Sequence, residues 1–290
     1  RILIFGGAGM LGHKLVQELG RDLEVFCTLR GGFDGVSKYG IFDEKRTIPG
    51  VDISDTGSVK AAIKKVKPDV VINAVGVIKQ LPTANDVITT LSTNSIFPQR
   101  LAELAEAIGF RLITVSTDCV FKGDSGHYVE ADTPDALDLY GQSKHWGEVT
   151  EGNCITVRTS IIGRELGSAH SLVEWFLSNR GGKVRGFANA IYSGFPTIVF
   201  ADIIRDLIIE HSGLRGLYHI SSEPIDKFRL LELINSAYGA GIEIQRFEDF
   251  QIDRSLNSDR FRNETGLEPA SWEEMVERMA ADPSPYDEWR

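Results

Sequence analysis

The chain has 290 residues, 42% of them hydrophobic and 25% charged, enough to bury a sizeable core as one elaborated domain or two intimate ones. Its 31 basic and 41 acidic residues give a net charge of −10, which argues against nonspecific nucleic-acid binding and against a polybasic membrane patch. No apolar run approaches the ~20 residues of a membrane helix, and Cys27, Cys119 and Cys154, odd in number and widely spaced, read as reduced thiols of a cytoplasmic protein.

Arg1 to Phe5 is a short apolar run that reads as a strand and leaves no room for a signal segment ahead of it in this sequence. Gly6-Gly7-Ala8-Gly9-Met10-Leu11-Gly12 follows at once, and then a helical pattern through Leu19. Strand, glycine turn and helix in that order form a dinucleotide fingerprint. Glycine lets the backbone turn tightly and approach a pyrophosphate, and the free N–H groups at the helix start stabilise its charge. Gly6, Gly9, Met10 and Leu11 are the residues placed to do so. A triphosphate-binding loop would end in Gly-Lys-Ser/Thr, which Gly12-His13-Lys14 does not supply.

The second strand, Leu23 to Leu29, ends at Arg30, where many NAD-binding folds place an acid. An arginine there pairs with a ribose 2′-phosphate, which favours NADP(H) and leaves NAD(H) as the alternative, with Arg30 then stacking on adenine or facing water. Asp52 and Ile53 close the next short strand near the adenine edge. Val70 to Gly76 is a buried strand ending in small residues, with Ala74, Val75 and Gly76 at the edge where a ligand lies.

The remaining pattern alternates. Helices are expected near 9–19, 56–66, 84–107 and 138–150, and strands near 1–5, 22–29, 47–50, 69–75, 110–116 and 154–158, which makes an α/β, doubly wound parallel sheet. Pro98 should kink or divide the third helical stretch, because proline removes a helical donor. Residues 1–160 then form a dinucleotide-binding Rossmann domain and 161–290 mainly a smaller substrate-binding domain, with about 197–220 rejoining the first through a strand at 216–220. Helices are expected near 171–178, 201–211, 226–238, 258–265 and 271–280. The histidines and cysteines show no ligand spacing, so no metal is expected.

Tyr140 and Lys144, one helical turn apart in Tyr-Gly-Gln-Ser-Lys, carry the chemistry. A free phenol titrates near pH ~10, and an ammonium on the same helix face would lower it toward proton exchange at neutrality. Ser116-Thr117-Asp118 ends the preceding strand and brings a hydroxyl to the same edge. Cys119 reads as a small residue behind that strand rather than a nucleophile.

These pieces, with Asn73-Ala74, Ser-Thr-Asp-Cys-Val-Phe at 116–121 and Val157-Arg158-Thr159-Ser160, give a chain that resembles the extended short-chain dehydrogenase/reductases and, among them, is similar to the dTDP-4-dehydrorhamnose reductases. The resemblance covers about residues 1–160, and the Ser-Thr-Asp-x-Val-Phe string is its most specific part. It implies that Thr117 binds the substrate oxygen and that Tyr140 is the proton donor. Lys144 would then bind the nicotinamide ribose and lower the phenol's pKa. It further implies a substrate site reached by Asp118, Asn94 and Tyr192, with Asn94 shaping a proton relay. Arg185, Lys183 and Tyr192 are candidates for the diphosphate, and the segment around His127 and Tyr128 for sugar hydroxyls. The implied activity is NAD(P)H-dependent reduction of the 4-keto group of a nucleotide-diphosphate deoxyhexose in deoxysugar and cell-surface polysaccharide biosynthesis. Ile161-Ile162-Gly163 stands where the rhamnose enzymes usually carry an aromatic, which leaves the sugar open. An epimerase or dehydratase on the same fold is one alternative, although Cys119 occupies the place of a dehydratase's glutamate. A noncatalytic NADP-binding regulatory subunit is another. Helices 84–107 and 138–150 either pair in a homodimer or cover their own sheet.

Overall fold

The computed structural model describes residues 1–79 and 82–289. In chain order the strands are β1 (Ile2–Phe5), β2 (Val25–Thr28), β3 (Thr47–Ile48), β4 (Val70–Asn73), β5 (Arg111–Thr117), β6 (Cys154–Thr159), β7 (Ile161–Ile162), β8 (Lys183–Tyr192), β9 (Phe195–Pro196), β10 (Gly216–His219), β11 (Ile225–Asp226) and β12 (Glu243–Asp253). The helices are α1 (Met10–Leu19), α2 (Asp34–Ser37), α3 (Thr56–Val66), α4 (Val87–Leu91), α5 (Phe97–Ile108), α6 (Leu139–Trp146), α7 (Leu172–Leu177), α8 (Thr197–Ile209), α9 (Lys227–Ala237), α10 (Asp259–Thr265) and α11 (Trp272–Ala280).

Seven strands form one parallel sheet in the order β10-β6-β5-β4-β1-β2-β3. The order reverses between β1 and β4, which makes the carboxyl ends of these strands the switch point at which doubly wound sheets hold ligands. Alternate residues feed opposite layers: Ile2, Ile4, Ile72 and Ile113 pack on one face, Leu3, Phe5, Val71 and Leu112 on the other. Helices cover both faces, which is why these strands read in the sequence as unbroken apolar runs.

The elements expected through residue 160 appear close to their expected bounds. The stretch at 84–107 is divided as Pro98 required: α4 passes through a π-helical turn, Ser92–Ile96, into α5, with the proline in α5's first turn. Helix α6 ends at Trp146 rather than near 150. A Cβ on Gly147 would lie 1.8 Å from the Asn94 carbonyl oxygen, so the chain turns there where only glycine fits. The strand at 216–220 is β10, hydrogen-bonded to β6.

A three-stranded sheet, β11-β8-β12, lies outside the expected pattern. Strand β12 runs parallel to β8 with a bulge between Phe247 and Gln251, and α9 packs on β8. The end of β12 meets the segment after β5: Asp253 N donates to Gly123 O at 2.8 Å, and Tyr128 N to Ser255 O at 3.0 Å. Among the described residues no helix is long and apolar enough to cross a membrane, and Cys27, Cys119 and Cys154 are unpaired.

Candidate active site

The glycine turn is built by contact. Gly6 has φ +88°, a conformation side chains resist, and a Cβ on Gly12 would sit 2.0 Å from Gly6 O. The turn is pinned to β2 by Gly7 N donating to Thr28 O at 3.0 Å. Gly9 caps α1 with no side-chain bond to its amides, and the first turn of α1 holds no acid. The N–H groups at that helix start therefore stay available to an anion, and Gly9 is exposed beside them.

Arg30 and Asp52 are exposed at the carboxyl ends of β2 and β3. Hydrogen bonds from the Ser54 hydroxyl and amide hold the Asp52 carboxyl below its ordinary value, helped by the Arg30 charge. Ile53 is half-buried behind them.

From the turn a continuous set of contacts runs to α6. Ala74 and Val75 pack against Gly6, and Gly76 is exposed beyond them. Asn94, 1% exposed in the π-helical turn, accepts from Val77 N at 2.9 Å and donates to Val77 O and to Ser143 Oγ of α6, each at 3.1 Å. Its carboxamide is thus occupied in tying the loop after β4 to the helix that carries Tyr140 and Lys144.

At the centre, Thr117 Oγ1 accepts from Cys119 N and donates to Asp118 Oδ1, both at 3.1 Å, and lies beside the Tyr140 phenol. Burial holds that phenol well above its ordinary value, with Cys119, Asp118 and Asp138 adding to the effect. The net direction is upward, against the lowering expected of Lys144, because burial outweighs it. The lysine shares the helix, but its Nζ donates to Val115 O at 2.7 Å, and burial brings its own pKa down to about 8, opposed by Glu148. Asp118 is buried and raised, with Arg254 opposing, and burial lifts the Cys119 thiol to about 12. Glu148 fixes the end of α6 to the sheet by accepting from Arg158 Nε at 2.7 Å, Arg158 Nη2 at 2.8 Å and Ser116 Oγ at 2.8 Å.

Of the other expected substrate contacts Tyr192 lies near Asp118, whereas Tyr128, Lys183 and Arg185 are engaged elsewhere. Tyr192 is buried against Trp272, with ring centroids 5.5 Å apart, and burial raises its phenol well above the ordinary value. Tyr128 stacks on Phe121 at 4.1 Å, and its hydroxyl accepts from the amides of Gly123, Asp124 and Ser125. Lys183 pairs with Glu243 at 2.7 Å, nine residues along β8 from Tyr192, or roughly 30 Å of extended chain. Arg185, which lies over Phe247, belongs to the same far end.

Beside Lys144, two further cations reach the centre that carry no signal in the sequence. Arg254, just past β12, donates from Nε to Phe121 O at 2.8 Å, lies 3.9 Å from Cys119 Sγ through Nη1, and acts on Asp118 together with Lys227. Lys79 pairs with Asp138 at 2.8 Å and sits 5.5 Å from the centre of the Tyr140 ring. No local motif marks either residue, because pairing of β12 with β8 is what brings Arg254 in. Among the described residues no three metal-ligating side chains gather.

The RmlD substrate binding domain family matches residues 1–284. The chain is 30% identical over 233 residues to a dTDP-4-dehydrorhamnose reductase of Aggregatibacter actinomycetemcomitans, covering 77% of this chain and 74% of that one. It is also 30% identical over 259 residues to methionine adenosyltransferase 2 subunit beta of Mus musculus, covering 82% and 72%. Among solved structures, the dTDP-4-dehydrorhamnose reductase of Bacillus anthracis in complex with NADP superposes with a TM-score of 0.80 at 24% identity, covering 98% of this chain and 99% of that one.

Proposed function

Because this chain belongs to the RmlD substrate binding domain family, we propose that it is an NADPH-dependent oxidoreductase that reduces the 4-keto group of a nucleotide-linked deoxyhexose. The observation that carries the reading is the contact path from the uncapped glycine turn, through the loop after β4, to a helix bearing Tyr140 beside Thr117.

The carboxyl edge suits a dinucleotide, since the amides at the start of α1 have no side-chain cap and an exposed cation stands at the end of β2. In this reading Gly6, Gly9, Met10 and Leu11 hold the pyrophosphate, and Arg30, Asp52 and Ile53 border the adenosine with its 2′-phosphate. Ala74, Val75 and Gly76 line the middle, and Tyr140 and Lys144 meet the nicotinamide ribose. When bound, NADPH supplies the hydride for the ketone carbon. Thr117 turns to the ketone oxygen the hydroxyl proton that Asp118 Oδ1 otherwise accepts, and Tyr140 gives its own proton to that oxygen as charge develops there. A phenol raised by burial is in its acid form throughout the neutral range, which suits a proton donor. Lys144, with a pKa of about 8, stabilises the phenolate left behind. Hydride on carbon and proton on oxygen complete the alcohol.

Arg254, with Lys227 beyond it, is our candidate for the diphosphate of the sugar nucleotide. Asp118 and Tyr192 then shape the site from behind, and Asn94 acts by positioning α6. We assign residues 161–290, less the part that returns to the large sheet, to substrate binding. The three unpaired cysteines suit the cytoplasm. Val87, Ile88, Ile96 and Trp146, apolar yet exposed on α4 to α6, are the contact we assign to a homodimer.

The test is NADPH consumption on a panel of nucleotide 4-keto-6-deoxysugars with product analysis. One member, dTDP-4-dehydrorhamnose first among the candidates, should consume cofactor and yield one alcohol per NADPH. Conversion of a sugar with no net NADPH loss would replace this reading with an epimerase or dehydratase. The similarity to a methionine adenosyltransferase subunit keeps a second reading in play, a noncatalytic partner of another enzyme. The presence of Thr117, Tyr140 and Lys144 weighs against it, and a stoichiometric enzyme partner recovered with no turnover on any keto-sugar would favour it.

A further inference from the structure

The back of the glycine turn is held by residues from the other end of the chain. His13, in the first turn of α1, is fully buried, with Nδ1 2.8 Å from Gly9 O and Nε2 2.8 Å from the Tyr286 hydroxyl. A carbonyl oxygen only accepts, so Nδ1 carries the proton and Nε2 accepts from the phenol. Around this relay the segment 282–289 is fastened at several points. Lys14 pairs with Asp282, and Gln17 Nε2 donates to Ser284 Oγ at 3.0 Å. Arg164 Nη2 donates to Asp287 Oδ1 at 2.5 Å, and its guanidinium lies over the Tyr286 ring at 4.8 Å. Trp289 packs edge-on against Tyr286 and Tyr39.

The consequence lies in one peptide plane. Gly9 C=O and Met10 N–H belong to the same rigid unit, so fixing the carbonyl fixes the direction of the amide. Gly9 has no side chain of its own to restrain that plane, and no side chain caps the helix start. Its carbonyl instead accepts both His13 N at 3.0 Å and His13 Nδ1. Burial lowers the His13 pKa to about 4, which keeps the ring neutral and the single-proton relay intact at working pH.

We propose that the Tyr286–His13–Gly9 relay is a positioning device, through which the segment at 282–289 orients the Met10 amide toward the cofactor's pyrophosphate. This rests on the assignment of the glycine turn to a dinucleotide. Tyr286→Phe keeps the ring that packs on His13, Arg164 and Trp289 and removes only the hydroxyl. The experiment is fluorescence titration of wild type and variant with NADPH, with thermal melting of the cofactor-free proteins and a steady-state split of KM from kcat.

The expected result is a 5- to 10-fold rise in the Kd and KM for NADPH, with the KM for the sugar and kcat at saturating cofactor held within about twofold. His13→Phe, which fills the same space and breaks both bonds, should show at least the same loss. An unchanged NADPH Kd in Tyr286→Phe overturns this inference alone. A fall in melting temperature with equal losses toward cofactor and sugar overturns it too, since that is general loosening. Wild-type protein that binds neither NADPH nor NADH overturns the cofactor reading itself.

Discussion

The carboxyl edge of the seven-stranded sheet and the small β8–β12 sheet meet over the same centre, yet they are held by different means. At the large sheet each candidate group is fixed by backbone and buried partners: Thr117 by Cys119 N, Lys144 by Val115 O, α6 by Glu148 on Arg158. At the small sheet β12 is largely exposed along its length, and Arg254 reaches the centre from its end, held by the Phe121 carbonyl. In the proposed function the buried region carries the reaction and the exposed one recognition, so substitutions in the first should change turnover and substitutions in the second should change affinity.

The largest effect should come from the buried side. Tyr140→Phe removes the proton donor and should lower kcat by ~10² to 10⁴ while the NADPH Kd stays within about threefold. Near-normal turnover would break the division at its strongest point. On the exposed side, Arg254→Ala should raise the KM for the sugar nucleotide by roughly 10- to 100-fold with a much smaller change in kcat, the scale of one charge-assisted bond. A loss confined to kcat would move Arg254 into the chemistry.

The same difference decides what could be read from the chain. Buried parallel strands announce themselves as apolar runs, and the glycine turn and Tyr140-x-x-x-Lys144 carry their spacing in a few consecutive residues. Strand β8 does alternate in burial, but its inward positions include Gly186, Ala188 and Ala190, whose small side chains give no hydrophobic signal. Strand β12, Glu-Ile-Gln-Arg-Phe-Glu-Asp-Phe-Gln-Ile-Asp, shows water most of its residues and so has no apolar face to read. Arg254 is therefore hidden in the sequence, while Lys183 and Arg185, at the far end of the same sheet, read as candidates for the diphosphate. The direction of the Tyr140 shift was likewise beyond sequence, because i,i+4 spacing says that two side chains share a face and says nothing of the Val115 carbonyl that takes the ammonium.

Two smaller effects sharpen the contrast. Arg30→Ala should cut the preference for NADPH over NADH by about 10-fold, measured as the ratio of kcat/KM for the two cofactors, with little change toward the sugar. Lys144 offers a readout in stability. Its folded pKa of about 8 lies below the ordinary 10.5, so the buried ammonium destabilises the fold at neutral pH, on the order of 3 kcal/mol, and stability recovers as pH rises from about 8 toward 10.5. Lys144→Met should raise the Tm at pH 7 by a few degrees even as turnover is lost. In wild type, kcat should be flat through neutrality and decline above about pH 8 as that ammonium deprotonates.

The most direct test follows the hydride. With NADPH deuterated at the transferring position of C4 and dTDP-4-dehydrorhamnose, mass spectrometry should find one deuterium on C4 of the product sugar for each NADP+ formed, and Tyr140→Phe should slow that transfer by at least ~100-fold. A sugar that is converted without deuterium while the cofactor is recovered intact, or transfer that proceeds undiminished without the Tyr140 hydroxyl, would contradict the account.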